Sequence, residues 1–260
     1  MTTDPRIEDL YIIIDTLARS FDDLTLSTPQ VGWTLNPLIY AQPMQRQLIE
    51  RHALPPTASP RRALLVGMNP GPWGMGQTGI PFGDPVAVRD WIGLDAPIGQ
   101  PATPCPLKPV LGLDSPRREG SGQRLWGWAA ERWGTPAAFF DDMFVWNYCP
   151  LLLLDRDRAT NRTPDKLLAA DQRAILPACD LALAALVAVL KPAHVIGVGG
   201  WATTRCRAAL AHMPDAPPIH TILHPSPASP AANRGWAAQA NAQLDAIWPP
   251  VLPHEEKDGL

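Results

Sequence analysis

Four short apolar runs constrain this chain more than any other feature: Ala63–Met68, Met143–Tyr148, His194–Val198 and Ile219–Leu223. Each is bounded by turn formers and reads as a buried strand. Segments with helical spacing separate them. Residues 5–20 carry Ile7, Leu10, Ile14 and Leu17 on one helical face. A second helix is expected from Pro37 to about Leu54, a short one at about Val86–Ile92, and another over Gln123–Trp133. Thr163-Pro164 has the form of an N-cap with proline at the first helical position, opening a helix towards Lys191 with a kink or break at Pro177. A helix at about 201–211 follows Gly199-Gly200. A last one follows the cap signal Ser229-Pro230, with Trp236, Ala240, Leu244 and Ile247 on one face. Strands alternating with helices predict an α/β fold: three layers, α/β/α, around a central, mostly parallel four-stranded sheet. Residues 1–248 are expected to form one domain and 249–260 a loose tail, with a linker at Pro55–Pro60 and a long loop over 95–121. There is no internal repeat.

Composition refines this picture at three points. Proline is high, 31 of 260 residues or about 12% against a usual 5%, so long ordered loops are expected. The net charge is −3, which argues against a broadly basic nucleic-acid binder but not against an enzyme that holds a few phosphates. The cations are 18 Arg and 4 Lys; this favours bidentate phosphate contacts and equally matches a genome that favours Arg, Ala and Pro. Cys105, Cys149, Cys179 and Cys206 form no CxxC pair, so no zinc ribbon or compact iron–sulfur motif is expected. Residues 1–15 are not a signal peptide, and no run approaches ~18 apolar residues free of charge. The chain reads as soluble and intracellular: cytoplasm or nucleoid in a bacterium, nucleus in a eukaryote.

Ligands of open parallel sheets bind beyond the carboxyl ends of the strands. Three segments fall there: Asn69–Phe82, Asn147 and His224–Ser229. In Gly67–Gly76 the glycines can bring backbone N–H groups to a phosphate or a base. The Gly-Lys-Ser/Thr ending of a phosphate loop is missing, and Pro70 and Pro72 remove donors that a dinucleotide loop needs. A tight ordered turn is an equal reading. His220 and His224 are four apart, but on a strand that is roughly 13 Å, so one metal cannot use both. A lone His at a strand end is commonly a structural hydrogen-bonder. The Pro-Ser-Pro-Ala-Ser-Pro run that follows can seat a phosphate near a helix start or simply turn the chain. Trp126, Trp128, Trp133, Trp201 and Trp236 read as core, and Asp155–Arg158 as a solvated turn.

Taken in order, several segments are more specific than any one of them: Gly67-Met68-Asn69-Pro70-Gly71-Pro72, Gly74-Met75, Gln77 through Gly83, and Val88-Arg89-Asp90-Trp91. Pro109 through Leu113, Val145 through Leu151, His224-Pro225-Ser226-Pro227 and Ala232 through Trp236 continue the set. Together they resemble the single-strand-selective monofunctional uracil-DNA glycosylases, within the uracil-DNA glycosylase superfamily, from about residue 5 to about 248.

The resemblance implies excision of uracil from DNA by water, with no cofactor, no metal and no lyase step, by a monomer whose partner is DNA carrying uracil or related damaged bases. It makes Asn69 the residue that holds the water and His224 the donor to uracil O2. Asn147 then reads O4 and N3–H, Phe82 stacks on the base, and Met68 belongs to the same pocket. Gly71 and Met75 leave room at C5, where other superfamily members place a Tyr; the family accordingly accepts 5-hydroxymethyluracil. Pro225, Ser226, Pro227, Ala228, Ser229 and Arg234 are implied to meet DNA. One departure stands out: vertebrate members have an Arg that plugs the emptied duplex where this chain has Ala228. Two other readings remain beside this one: the same fold acting on hypoxanthine or xanthine, and a non-catalytic binder of damaged DNA.

Overall fold

The computed structural model describes residues 4–54 and 62–248; the expected linker and C-terminal tail lie outside them. Seven strands occur among the described residues: β1 (Val31–Leu35), β2 (Ala63–Gly67), β3 (Met143–Asn147), β4 (Leu152–Asp155), β5 (Asn161–Arg162), β6 (His194–Val198) and β7 (Ile219–Ile222). The four apolar runs form one sheet in the order β3-β2-β6-β7, with every neighbouring pair parallel. All side chains of β2 and β3 are buried, so both faces are covered and the architecture has three layers. The chain steps outward from β2 to β3, then returns past β2 to β6. That reversal opens a crevice beyond the carboxyl end of β2.

The second sheet, β1-β4-β5, was not legible in the sequence. It is antiparallel throughout, and a register shift interrupts the β1–β4 pairing between Val31 and Trp33. Asp155, expected in a solvated turn, ends β4, and its carboxylate accepts from the N–H groups of Asp157, Arg158 and Thr160 to close the turn into β5.

Several helix boundaries differ from expectation for identifiable reasons. The helix expected over 37–54 is two, Pro37–Tyr40 and Gln42–His52, because Ala41 leaves helical geometry. Thr163-Pro164 opens only a single 3-10 turn, Pro164–Lys166; Leu167 and Leu168 are extended before the helix Ala169–Leu190 begins. The Ser229-Pro230 signal caps another short turn, Ala232–Arg234, with Ser229 Oγ accepting from Ala232 N, and the last helix, Trp236–Ile247, starts after Gly235. An unexpected helix, Pro136–Asp142, is capped by Thr135 Oγ1, which accepts from Ala138 N. Pro177 sits inside Ala169–Leu190 without ending it. This helix is long and apolar enough to cross a membrane by length and composition. In the fold it packs on the helices Pro5–Arg19 and Gly200–Ala209, and its Asp180 accepts from Tyr148 Oη and pairs with Arg205.

Two anchors hold the glycine-rich segment after β2 against the sheet. Gln77, which is buried, donates to the carbonyls of Pro72 and Pro109 and accepts from Leu111 N, at 2.8–3.0 Å. Tyr40 Oη donates to Gly76 O at 2.7 Å. The segment is therefore an ordered structure that includes the helical turn Met75–Thr78. Gln77→Leu keeps the volume but removes three hydrogen bonds to part-buried backbone groups; it should lower unfolding stability by about 1–3 kcal/mol in urea denaturation, and a loss under about 0.5 kcal/mol would contradict this role.

Candidate active site

Asn69 lies two residues beyond β2, facing a cluster of acceptors. Its Nδ2 sits 3.3–3.5 Å from Pro70 O, Leu151 O, Asn161 Oδ1 and Arg162 O. Each bond is long, but only an NH2 can face four oxygens, so the amide has one orientation and Oδ1 is left to accept from a water. Three of these acceptors come from β5 and from Leu151, just before β4. The small antiparallel sheet thus orients a side chain carried by the large one.

Asn147 ends β3, directly opposite Gly67 in register. It is buried, and its Nδ2 donates to Met75 Sδ at 3.1 Å. A thioether is a weak acceptor that a carbonyl oxygen readily replaces. A side chain at position 67 would collide with Asn147 Oδ1 and stand 2.7 Å from the Phe82 ring. Glycine is required there because two cleft groups close on the backbone itself.

Phe82 has a φ of 54°, in the left-handed region, a conformation that costs a non-glycine residue about 1–3 kcal/mol. Its carbonyl accepts from Trp126 Nε1 at 2.9 Å and from Asp84 N at 2.7 Å, which holds the turn in place. Its ring is 6.2 Å from that of His224, inclined by 47°.

His224 follows β7, against Gly199 at the start of the helix after β6. Its Nδ1 accepts from Ser226 N at 3.0 Å. A backbone N–H can only donate, so Nδ1 carries no proton and the neutral ring bears its hydrogen on Nε2. Burial lowers the pKa of the ring below its ordinary value, which favours the same neutral form near pH 7.

These groups share one cleft of about 330 Å³. Of the residues singled out in the sequence, Met68, Asn69, Gly71, Phe82, Asn147 and His224 line it, together with Ser226. Met75 is buried, does not line the cleft, and touches it through its sulfur, which accepts from Asn147 Nδ2. In the loop after His224, Pro227, Ala228 and Arg234 are exposed and Ser229 is half-buried, whereas Pro225 is buried. Arg124 braces that loop, donating to the carbonyls of Pro225 and Ser226 and to Asn233 Oδ1. His220 turns to His194, 3.1 Å away, and takes no part in the cleft. Among the described residues no three His, Cys, Asp or Glu side chains gather as a metal site.

The cleft also contains Glu119, Ser121, Asn161 and Thr163, none of which the sequence marked as a site residue. Glu119 lies at the end of the aperiodic 95–121 stretch, where neither spacing nor a motif separates it from its neighbours. Its backbone N–H donates to Asp84 Oδ1 at 3.1 Å. Asp84 is itself buried and accepts two-pronged bonds from Arg118. Burial, with the Asp84 charge adding to it, pushes the Glu119 carboxyl up to about 7.

The arrangement provides an acceptor for water at Asn69, a neutral N–H donor at His224 and an amide at Asn147 that can read a planar ring from its edge. Long-range ¹H–¹⁵N NMR should find His224 as the Nε2–H tautomer at about pH 7, with a pKa below the ordinary 6.5; an imidazolium or an Nδ1–H ring at that pH would contradict the assignment.

The profile of the uracil DNA glycosylase superfamily matches residues 56–250. The single-strand selective monofunctional uracil DNA glycosylase of Bos taurus is 43% identical over 217 residues, covering 84% of this chain and 78% of its own. The Mus musculus protein of that name is 42% identical, covering 84% and 76%. The crystal structure of wild-type SMUG2 from Pedobacter heparinus shares the fold, with a TM-score of 0.61 over 90% of this chain and 97% of that one at 16% identity. By sequence over most of its length, and by fold, this chain belongs to the uracil DNA glycosylase superfamily and, within it, to the single-strand selective monofunctional uracil DNA glycosylases.

Proposed function

We propose that the chain is a monofunctional uracil-DNA glycosylase that starts base excision repair, carried by one domain over residues 1–248. The observation that carries this reading is the convergence of Asn69, Asn147, Phe82 and His224 on one cleft. Uracil is turned out of the strand and stacks on Phe82. Asn147 donates to O4 in place of the Met75 sulfur and accepts from N3–H. Cytosine presents the opposite donor pattern and is disfavoured by about 1–3 kcal/mol.

As the C1′–N1 bond breaks, its electron pair leaves with the base and the sugar becomes cationic. The negative charge, largely on O2, meets His224 Nε2–H. A neutral donor is enough here, because a preorganised hydrogen bond in a water-excluding site stabilises developing charge without moving a proton. The water held on Asn69 Oδ1 adds to C1′ and then loses a proton to solvent. An amide is no base at neutral pH, so Asn69 contributes position alone. Among the described residues lining the cleft there is no lysine that could form an imine with the sugar.

Acting on DNA places the enzyme inside the cell. The cleft is built wholly from one chain, and we propose that the monomer is the active form. Ser226, Pro227, Ala228, Ser229 and Arg234 meet the strand beside the flipped nucleotide, and Gly71 puts no side chain of its own beside C5 of the base, where the Glu119 carboxyl stands instead.

Single-turnover assays on a single-stranded uracil oligonucleotide test this function. The wild type should give alkali-labile abasic sites. Asn69→Ala and His224→Ala should each lower the rate by about 10²- to 10³-fold while keeping wild-type circular dichroism. Wild-type protein with no product, or variants with undiminished rates, would sink the reading. Ala228 has no side chain to fill the hole left in a duplex. Ala228→Arg should therefore slow product release from duplex DNA by about threefold or more in quench-flow, with single-strand turnover changed less; equal release by both proteins would contradict this.

A further inference from the structure

Among the described residues Glu119 is the one acidic side chain on the cleft wall, and the reaction outlined above does not use it. Its position is built. The backbone N–H is fixed on Asp84, and the carboxyl fills the space beside two glycines of the segment after β2. A side chain at Gly71 would stand 2.8 Å from Glu119 Oε1, and one at Gly74 would collide with Oε2. Among the described residues, neither carboxyl oxygen takes part in a hydrogen bond. The cleft thus holds a fixed polar group, half-buried and lacking a protein partner.

The uracil ring dictates what that group faces. C5 lies across the ring from C2 and next to C4. With O2 at His224 and the O4–N3 edge at Asn147, the C5 edge turns towards Gly71 and the carboxyl behind it. We propose that Glu119 is a specificity-determining residue that hydrogen-bonds a polar substituent on C5, the hydroxyl of 5-hydroxymethyluracil being the substrate class it fits. This rests on the glycosylase reading and adds to it the group that reads C5.

The same geometry disfavours a 5-methyl base. Thymine fills the space next to the carboxyl and offers it no hydrogen bond, leaving a desolvated polar group without a partner. Uracil leaves room there for a water. A hydroxymethyl group restores the bond directly, and a carboxylic acid can serve it as either donor or acceptor. Room at C5 alone does not separate these cases; a polar wall does.

The test compares kcat/KM for 5-hydroxymethyluracil and for uracil in otherwise identical single-stranded oligonucleotides at about pH 6, below the value of about 7 to which burial pushes the Glu119 carboxyl. The readout is the ratio of the two, which does not depend on the fraction of folded enzyme. Glu119→Met keeps the length of the side chain without its polar atoms and should lower the ratio by about tenfold or more. Glu119→Gln keeps an acceptor and a donor and should hold the ratio within about threefold of wild type. A ratio unchanged in Glu119→Met, or lost equally in Glu119→Gln, overturns the proposal. Wild-type protein that releases uracil but no 5-hydroxymethyluracil also overturns it, and leaves the glycosylase reading standing; protein that releases neither base refutes that underlying reading.

Discussion

The rim of the sheet depends on the absence of a side chain at Gly67. There β2 and β3 run in register, and the Asn147 amide and the Phe82 ring both press on the backbone where a Cβ would be. If they moved apart, the amide would no longer meet the edge of a base that stacks on the ring. The left-handed turn at Phe82 is the local cost of that approach, and the bonds from Trp126 and Asp84 to its carbonyl sustain it. Gln77 and Tyr40 anchor the connecting segment, so the cleft is assembled before any ligand arrives.

Each group assigned to the proposed site is oriented by something other than the element that carries it. Asn69 leaves the parallel sheet, but its amide is turned by acceptors from the antiparallel one. His224 leaves β7, but its tautomer is set by the backbone of its own Pro-Ser-Pro turn. Glu119 precedes a helix, but the buried Asp84, itself paired with Arg118, fixes its backbone. Such positioning suits a reaction in which the enzyme supplies neither a strong base nor a covalent nucleophile. In the proposed reaction the bond breaks largely by departure, so the rate would rest on where a water, a donor and a ring are held.

The parallel sheet was legible because its strands are buried on both faces and read as continuous apolar runs. Their ends then placed Asn69, Asn147 and His224 at one rim. The second sheet was not legible. β5 is two residues long, β1 contains a glycine, and β4 is a four-residue Leu-Leu-Leu-Asp run with no alternation to mark it. Thr-Pro shows how one local signal has two outcomes. At 135–136 it precedes Ala-Ala-Phe-Phe and starts a helix; at 163–164 it precedes Asp-Lys-Leu and yields a single turn before the chain extends. Glu119 escaped because its significance lies in its distance from Gly71, forty-eight positions away along the chain, and no period connects the two.

The central claim is that this rim hydrolyses an N-glycosidic bond with water and without an enzyme–sugar intermediate. Turnover of a single-stranded uracil oligonucleotide in the presence of sodium borohydride tests it most directly, with free uracil and protein–DNA adduct measured in one reaction. The account predicts free uracil in step with abasic strand, and no adduct. Adduct that accumulates with uracil release, or strand scission without alkali, would contradict it.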